Sequence, residues 1–175
     1  MPWWIWLVAG FFLLFGLVVL RGAPYVPSKR SNLKEAFTDL YPLGDFDLLV
    51  DIGSGDGVVL RAAAKYGAKA VGYELNPVLV LISKWLSRRS KNITIRLADF
   101  WSVKLPSETT IVYTFGESRD ITKMANKVAS EANRLGRSLY FMSYAFEVPH
   151  TKPVKQNGSH FLYKFDPLHS GKAQV

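Results

Sequence analysis

The run Leu48-Leu49-Val50-Asp51-Ile52-Gly53-Ser54-Gly55-Asp56-Gly57 carries an apolar strand straight into a turn with glycine at every second position. Few folds accept such a run. Alternate glycines let the backbone bend tightly and let a ligand approach without meeting a Cβ. Val58-Val59-Leu60-Arg61-Ala62-Ala63-Ala64-Lys65 then reads as a helix, so the turn joins strand to helix. Asp51 stands at the carboxyl end of the strand, where open α/β sheets bind ligands. A second short strand, Ala70-Val71-Gly72-Tyr73-Glu74, also ends in a carboxylate, one that can accept hydrogen bonds from both hydroxyls of a ribose. The two signals together point to a nucleoside-containing ligand.

A dinucleotide is a poor fit. The fingerprint G-x-G-x-x-G, counted from Gly53 and Gly55, would place its third glycine at Val58. Asp56 adds a negative charge at the helix mouth, where a pyrophosphate would rest. A ligand whose charged groups are a sulfonium and an amino acid is better tolerated there. The pattern D-x-G-x-G-x-G followed by a strand-end acid resembles the nucleotide-binding motif of class I S-adenosylmethionine methyltransferases.

The rest of the chain alternates between strands and helices. Asn32 is expected to cap a helix from Leu33 to about Leu40, ended by Tyr41-Pro42-Leu43-Gly44. Asn76-Pro77 opens another helix with a capping residue and proline in the first turn. Its Val78, Leu79, Leu81, Ile82, Trp85 and Leu86 are expected to cover a sheet. Further strands are expected at 93–97, 110–115, 138–144 and 161–165. Asp120 is placed to cap a helix over 121–135 that Gly136 ends in a left-handed turn. The expected fold is α/β: a Rossmann-like, class I methyltransferase sheet, mostly parallel, with helices on both faces.

Residues 3–20 carry no charged side chain, and as one helix they would span roughly 27 Å, close to a bilayer's hydrocarbon thickness. Trp3, Trp4 and Trp6 would sit at one interface. A single N-terminal transmembrane helix is therefore expected, uncleaved because Arg21 spoils a signal-peptidase site. Arg21, Lys29, Arg30 and Lys34 all follow it. The positive-inside rule then predicts the N-terminus outside and the catalytic domain cytoplasmic in a bacterium; in a eukaryote the mitochondrial inner membrane is expected. The resulting division is an anchor at 1–22, a connector and first helix at 23–46, the ligand-binding domain at 47–168 and a fraying tail at 169–175. The net charge of +8 would hold such a domain against anionic lipid. There is no cysteine, and His150, His160 and His169 lack short ligand spacing, so no metal site is expected. No amino-methylation motif of the N/D-P-P-Y/F/W type is present, and no nucleic-acid partner is expected.

A more specific resemblance rests on pieces in chain order: the apolar N-terminus, Pro24-Tyr25-Val26-Pro27-Ser28, the glycine turn, Gly72-Tyr73-Glu74-Leu75-Asn76-Pro77, Asp99-Phe100-Trp101 and Phe115-Gly116. In these the chain resembles the membrane-anchored protein-lysine methyltransferases that modify the mitochondrial adenine nucleotide translocase and the ATP synthase c-subunit, as a prokaryotic-type relative. The match fades beyond Gly116, where Glu117-Ser118-Arg119-Asp120 and Tyr144-Ala145-Phe146-Glu147-Val148-Pro149-His150 depart from the family pattern. That departure bears on the substrate more than on the cofactor.

The resemblance implies S-adenosyl-L-methionine as cofactor. Gly53, Ser54, Gly55 and Gly57 would pack against its methionine part and Asp51 would orient its amino group. Glu74, supported by Asn76, would hold the ribose hydroxyls, while Asp99 and Phe100 would bind the adenine. It implies as partner a protein bearing a target lysine, in or at a membrane. Glu117, Tyr144 and Tyr25 are the candidate catalytic residues, with His150 and Phe115 nearby. Two other readings stay open: a lipid or lipophilic small molecule as methyl acceptor, and a non-catalytic cofactor-binding domain.

Overall fold

The computed structural model describes residues 2–10, 30–116 and 118–168. Seven strands form one sheet: β1 (Leu48–Ile52), β2 (Lys69–Glu74), β3 (Ile93–Leu97), β4 (Ile111–Phe115), β5 (Leu139–Tyr144), β6 (Lys155–Asn157) and β7 (His160–Phe165). Their spatial order is β3-β2-β1-β4-β5-β7-β6. The first five run parallel, and β7 returns antiparallel between β5 and β6. The order reverses beside β1, which makes the carboxyl edge of β1 and β4 the switch point of an open sheet. β1 is buried along its whole length, as a central parallel strand with both faces covered must be. β3, at the edge, buries Ile95 alone among its five residues.

Helices cover both faces. They are α2 (Arg30–Glu35), α3 (Val58–Ala64), α4 (Pro77–Leu86) and α5 (Ile121–Leu135), while α1 (residues 3–10) is largely exposed. A π-helical turn over Ala36–Leu40 continues α2. Leu33, Ala36, Phe37 and Leu40 fall at helical spacing and pack with Leu60, Ala63, Leu49 and Tyr113 on one face. On the other face α5 sets Ile121, Ala125, Val128 and Ala132 against Val50, Val112 and Phe141. Glu131, buried on α5, accepts from the Leu105 amide at 2.8 Å and pairs with Arg134 at 2.6 Å, fixing the β3–β4 connection.

The expected strands, helices and Gly136 terminus are present, the last with φ +65°. Several expectations need correction. The expected transmembrane helix is not supported: of its span, only α1 (residues 3–10) falls among the described residues. Among the described residues no helix is long and apolar enough to cross a membrane, so the single-pass arrangement and the localisation drawn from it are not supported. Residues 11–29, which include the rest of the expected span and Tyr25 in its connector, lie outside the described residues, as does the tail from 169. Asn32 is not a cap, because the helix already begins at Arg30; its amide instead donates to the Tyr144 hydroxyl at 3.0 Å. Asp120 sits at the N-cap position of α5 without a side-chain cap and pairs with Arg119 at 3.0 Å. The short polar strand β6 has no apolar alternation to announce it.

α4 is the largest departure. It buries Val80 and Ser83, with Ser87 just beyond its end, while Leu81 is 68% and Trp85 62% exposed. Its apolar stripe faces away from the sheet it was expected to cover. The inner face is made of small residues because α4 comes close to the glycine turn. A Cβ on Gly57 would lie 2.3 Å from the Ser83 hydroxyl, and Gly57 already has φ +81°. Gly57→Ala is therefore expected to destabilise the fold by about 2 kcal/mol or more, from left-handed strain plus the clash. Adding Ser83→Ala removes the clash and a buried hydroxyl that has no partner. Denaturant unfolding of the two single variants and the double variant should show partial recovery; strict additivity would contradict the contact.

Candidate functional site

Asp51, the glycine turn, Glu74 and Asn76 converge on the carboxyl edge of β1 and β2. The glycine turn is stitched to the end of β2: Gly53 and Ser54 amides donate to the Tyr73 carbonyl at 2.9 and 3.1 Å. The Gly55 amide donates to one Glu74 oxygen at 2.9 Å, and the Asn76 amide to the other at 2.8 Å. Glu74 is thereby held at the turn with an acceptor lone pair left on each oxygen. Asn76 has a second task, accepting from Val78 and Leu79 amides at 2.9 and 3.4 Å to cap α4.

Two glycines beside the turn are required by close approach or backbone shape. Gly72, paired with Asp51, leaves room for the Ser54 side chain, which would stand 2.5 Å from a Cβ there. Ser54, expected at the cofactor, thus lies under the turn, with its hydroxyl buried and without a partner. Gly53, by contrast, has φ +67° and nothing within 4 Å of where a Cβ would stand. Backbone is open to a ligand at that point.

Asp51 is 3% exposed, and its carboxyl group makes no hydrogen bond or ion pair among the described residues. Burial pushes its carboxyl well above the usual carboxylate range, and the Glu74 and Asp56 carboxylates push it further. Asp56 itself is satisfied: it accepts from the Val58 amide at 3.0 Å and pairs with Arg61 at 3.2 Å. Its carboxylate occupies the amide donor that a phosphate would use at the start of α3, which disfavours a pyrophosphate. This end of the sheet is suited to a cation beside a neutral diol.

β3 lies beside β2, with Leu97 opposite Glu74, so Asp99 follows closely on the same edge. It is exposed and accepts from the Trp101 amide at 3.0 Å. Phe100 turns into the core under α5, with the Lys127 ammonium 5.1 Å from its ring centre. Among the described residues no group of three His, Asp or Glu side chains is placed to hold a metal.

A second cluster occupies the same edge at β4, β5 and β7. Phe115 and Tyr144, opposite each other, have ring centres 5.1 Å apart. Tyr144 also meets His160 at 4.7 Å, and His160 Nε2 lies 3.2 Å from the Tyr113 hydroxyl. Ala145, immediately after Tyr144, has a left-handed φ of +71°, and its amide donates to the Ser159 carbonyl at 2.8 Å. A non-glycine residue in that conformation stores strain of about 1–3 kcal/mol, a feature that gathers at functional sites. Asn32, Tyr113 and His160 were not among the site residues expected from the sequence. β7 runs antiparallel, which brings its first residue to the carboxyl edge, and no local pattern announces that. His150 stands exposed in the β5–β6 connection with φ +59°, and Glu117 and Tyr25 lie outside the described residues.

Burial pushes His160 down to about 4 from an ordinary value of 6.5. A histidine held neutral in the fold lends full stability above the unfolded value, and that stability is lost as pH falls toward the folded one. Unfolding free energy is expected to drop by roughly 3 kcal/mol between pH 6.5 and 4 on this account alone. Urea titrations across that range, with His160→Gln flattening the slope, measure it; an unchanged slope would place the titration elsewhere.

The family model described as the ANTKMT methyltransferase domain matches residues 51–155. A Xenopus laevis lysine N-methyltransferase of the ATP synthase c-subunit is 34% identical over 117 residues, which is 65% of this chain and 50% of that protein. A Mus musculus adenine nucleotide translocase lysine N-methyltransferase is 41% identical over 86 residues, 47% of this chain and 37% of that protein. The chain thus spans about half the length, or less, of the curated relatives it matches. Among solved structures, a Salinibacter ruber RNA methyltransferase in complex with S-adenosyl-L-homocysteine superposes with TM-score 0.70 at 23% identity, over 80% of this chain and 92% of that one.

Proposed function

The chain belongs to the ANTKMT methyltransferase domain family, and from that premise we propose that it transfers a methyl group from S-adenosyl-L-methionine to a lysine amine of another protein. The observation that carries the cofactor reading is the pairing of an oriented Glu74 carboxylate with an unpartnered Asp51 across an open glycine turn. These residues fit the group: a diol for Glu74, an ammonium for Asp51 and exposed backbone at Gly53. The matched lysine methyltransferases support lysine as the acceptor.

When bound, the cofactor supplies an activated methyl group on a sulfonium. The protein's contribution to such an in-line displacement is chiefly proximity and orientation. Asp51 would hold the amino-acid end, Glu74 the ribose and Asp99 the adenine edge, and the carboxyl ends of β4 and β5 lie beside them on the same edge. There the Phe115 and Tyr144 rings offer faces that attract a cationic amine. Asn32 holds the Tyr144 hydroxyl, which keeps that ring in place. Glu117 and Tyr25 are further candidates to receive or orient the ammonium. The partner is a protein whose target lysine reaches this edge.

Incubation with methyl-labelled cofactor and a lysate of cells lacking the protein tests the reading. Label is expected on lysine after acid hydrolysis of protein. Glu74→Ala should weaken cofactor binding at least about tenfold, roughly 1.4 kcal/mol, with the fold retained. Label confined to solvent-extracted lipid would replace the lysine reading with a lipophilic acceptor, and no transfer despite cofactor binding would favour a non-catalytic domain.

A further inference from the structure

We propose that the outer face of α4 is a docking surface for anionic lipid, lying along a bilayer surface without crossing it. Val78, Leu81, Ile82, Trp85 and Leu86 stand at positions i, i+3, i+4, i+7 and i+8 of one helix, the spacing of a single apolar stripe. All five are exposed, between 37% and 68%. The opposite face carries Ser83 and, one residue past the helix, Ser87, whose hydroxyls are buried without partners. A helix designed to meet water would have these faces exchanged. The outward stripe therefore matches an apolar medium outside the fold.

Charge identifies that medium. Residues 75–98 contain five basic side chains, Lys84, Arg88, Arg89, Lys91 and Arg96, and no acidic one. All five are exposed and none makes an ion pair among the described residues. Arg88 lies over the Trp85 ring at 4.7 Å and donates to the Trp85 carbonyl at 2.8 Å, which sets a cation beside the indole. An apolar stripe with tryptophan and flanking lysine and arginine is the pattern of a helix lying in the headgroup region, where anionic lipid neutralises the charges. α4 begins three residues after Glu74, so docking there would bring the cofactor edge within about 15 Å, one length of this helix, of the lipid surface.

The test uses the full chain with Trp3→Phe, Trp4→Phe, Trp6→Phe and Trp101→Phe, which leaves Trp85 as sole indole reporter. With vesicles of phosphatidylcholine and phosphatidylglycerol, its emission is expected to move to shorter wavelength and to be quenched by bromines high on the acyl chains. Vesicles of phosphatidylcholine alone should give little change, and added salt should reverse the effect. Removing three charges (Arg88→Gln, Arg89→Gln, Lys91→Gln) should weaken partition roughly a hundredfold. Leu81→Ser with Ile82→Ser should abolish the shift, and both sets should keep the wild-type circular dichroism because they alter exposed side chains. Three results would each overturn the proposal. One is Trp85 emission that stays unchanged while the chain sediments with vesicles. The second is a blue shift without lipid that tracks a concentration-dependent doubling of mass, which would assign the face to a second copy. The third is an equal response to polyglutamate, which would assign it to an acidic protein.

Discussion

Three carboxylates are brought to one glycine turn, and the rest of the site depends on how their repulsion is managed. Asp56 is neutralised by Arg61 and by the first amide of α3, and Glu74 by two amides of the turn and α4. Asp51 has neither arrangement, and its protonation is favoured by burial and by its neighbours. An isolated buried charge is costly unless something pairs with it. The fold keeps this one at the switch point of the sheet, where a cation carried by a ligand would pair with it. An ammonium-bearing nucleoside supplies such a cation, and a pyrophosphate does not.

The carboxyl edge then divides by strand order. β3, β2 and β1 supply the polar, acidic half that suits the cofactor, while β4, β5 and β7 supply aromatic rings that suit an amine acceptor. β1 and β4 are direct neighbours, so the two halves abut at the middle of the sheet. α2 crosses to the second half through the Asn32–Tyr144 hydrogen bond. α2 and the end of β5 thus meet at the place where acceptor binding is proposed.

What was legible in the sequence was local. The alternation of apolar runs with turn residues located every parallel strand, and Asn76-Pro77 and Gly136 marked helix ends through backbone chemistry that needs no tertiary context. The acidic half of the candidate site was legible because each acid lies at or just past the carboxyl end of its own strand. The aromatic half was legible only in Phe115 and Tyr144, because His160 reaches it through an antiparallel return and Asn32 through a helix that starts earlier than its capping residue suggests. α4 shows the limit of periodicity: the stripe of Val78, Leu81, Ile82, Trp85 and Leu86 was visible, but its direction was not. That direction is set by size, since only small side chains such as Ser83 fit against Gly57.

The most direct measurement is calorimetric titration of the full chain with S-adenosyl-L-methionine at several pH values between about 5 and 8, each in two buffers of different ionisation enthalpy. An acid whose folded value is raised binds its proton above the ordinary carboxylate range, and a cation beside it drives that proton off. Saturable one-to-one binding with net proton release, lost in Asp51→Asn, is the expected result. Absence of binding by the folded chain, or tight binding with no proton released at any of these pH values, would contradict a cation held at Asp51.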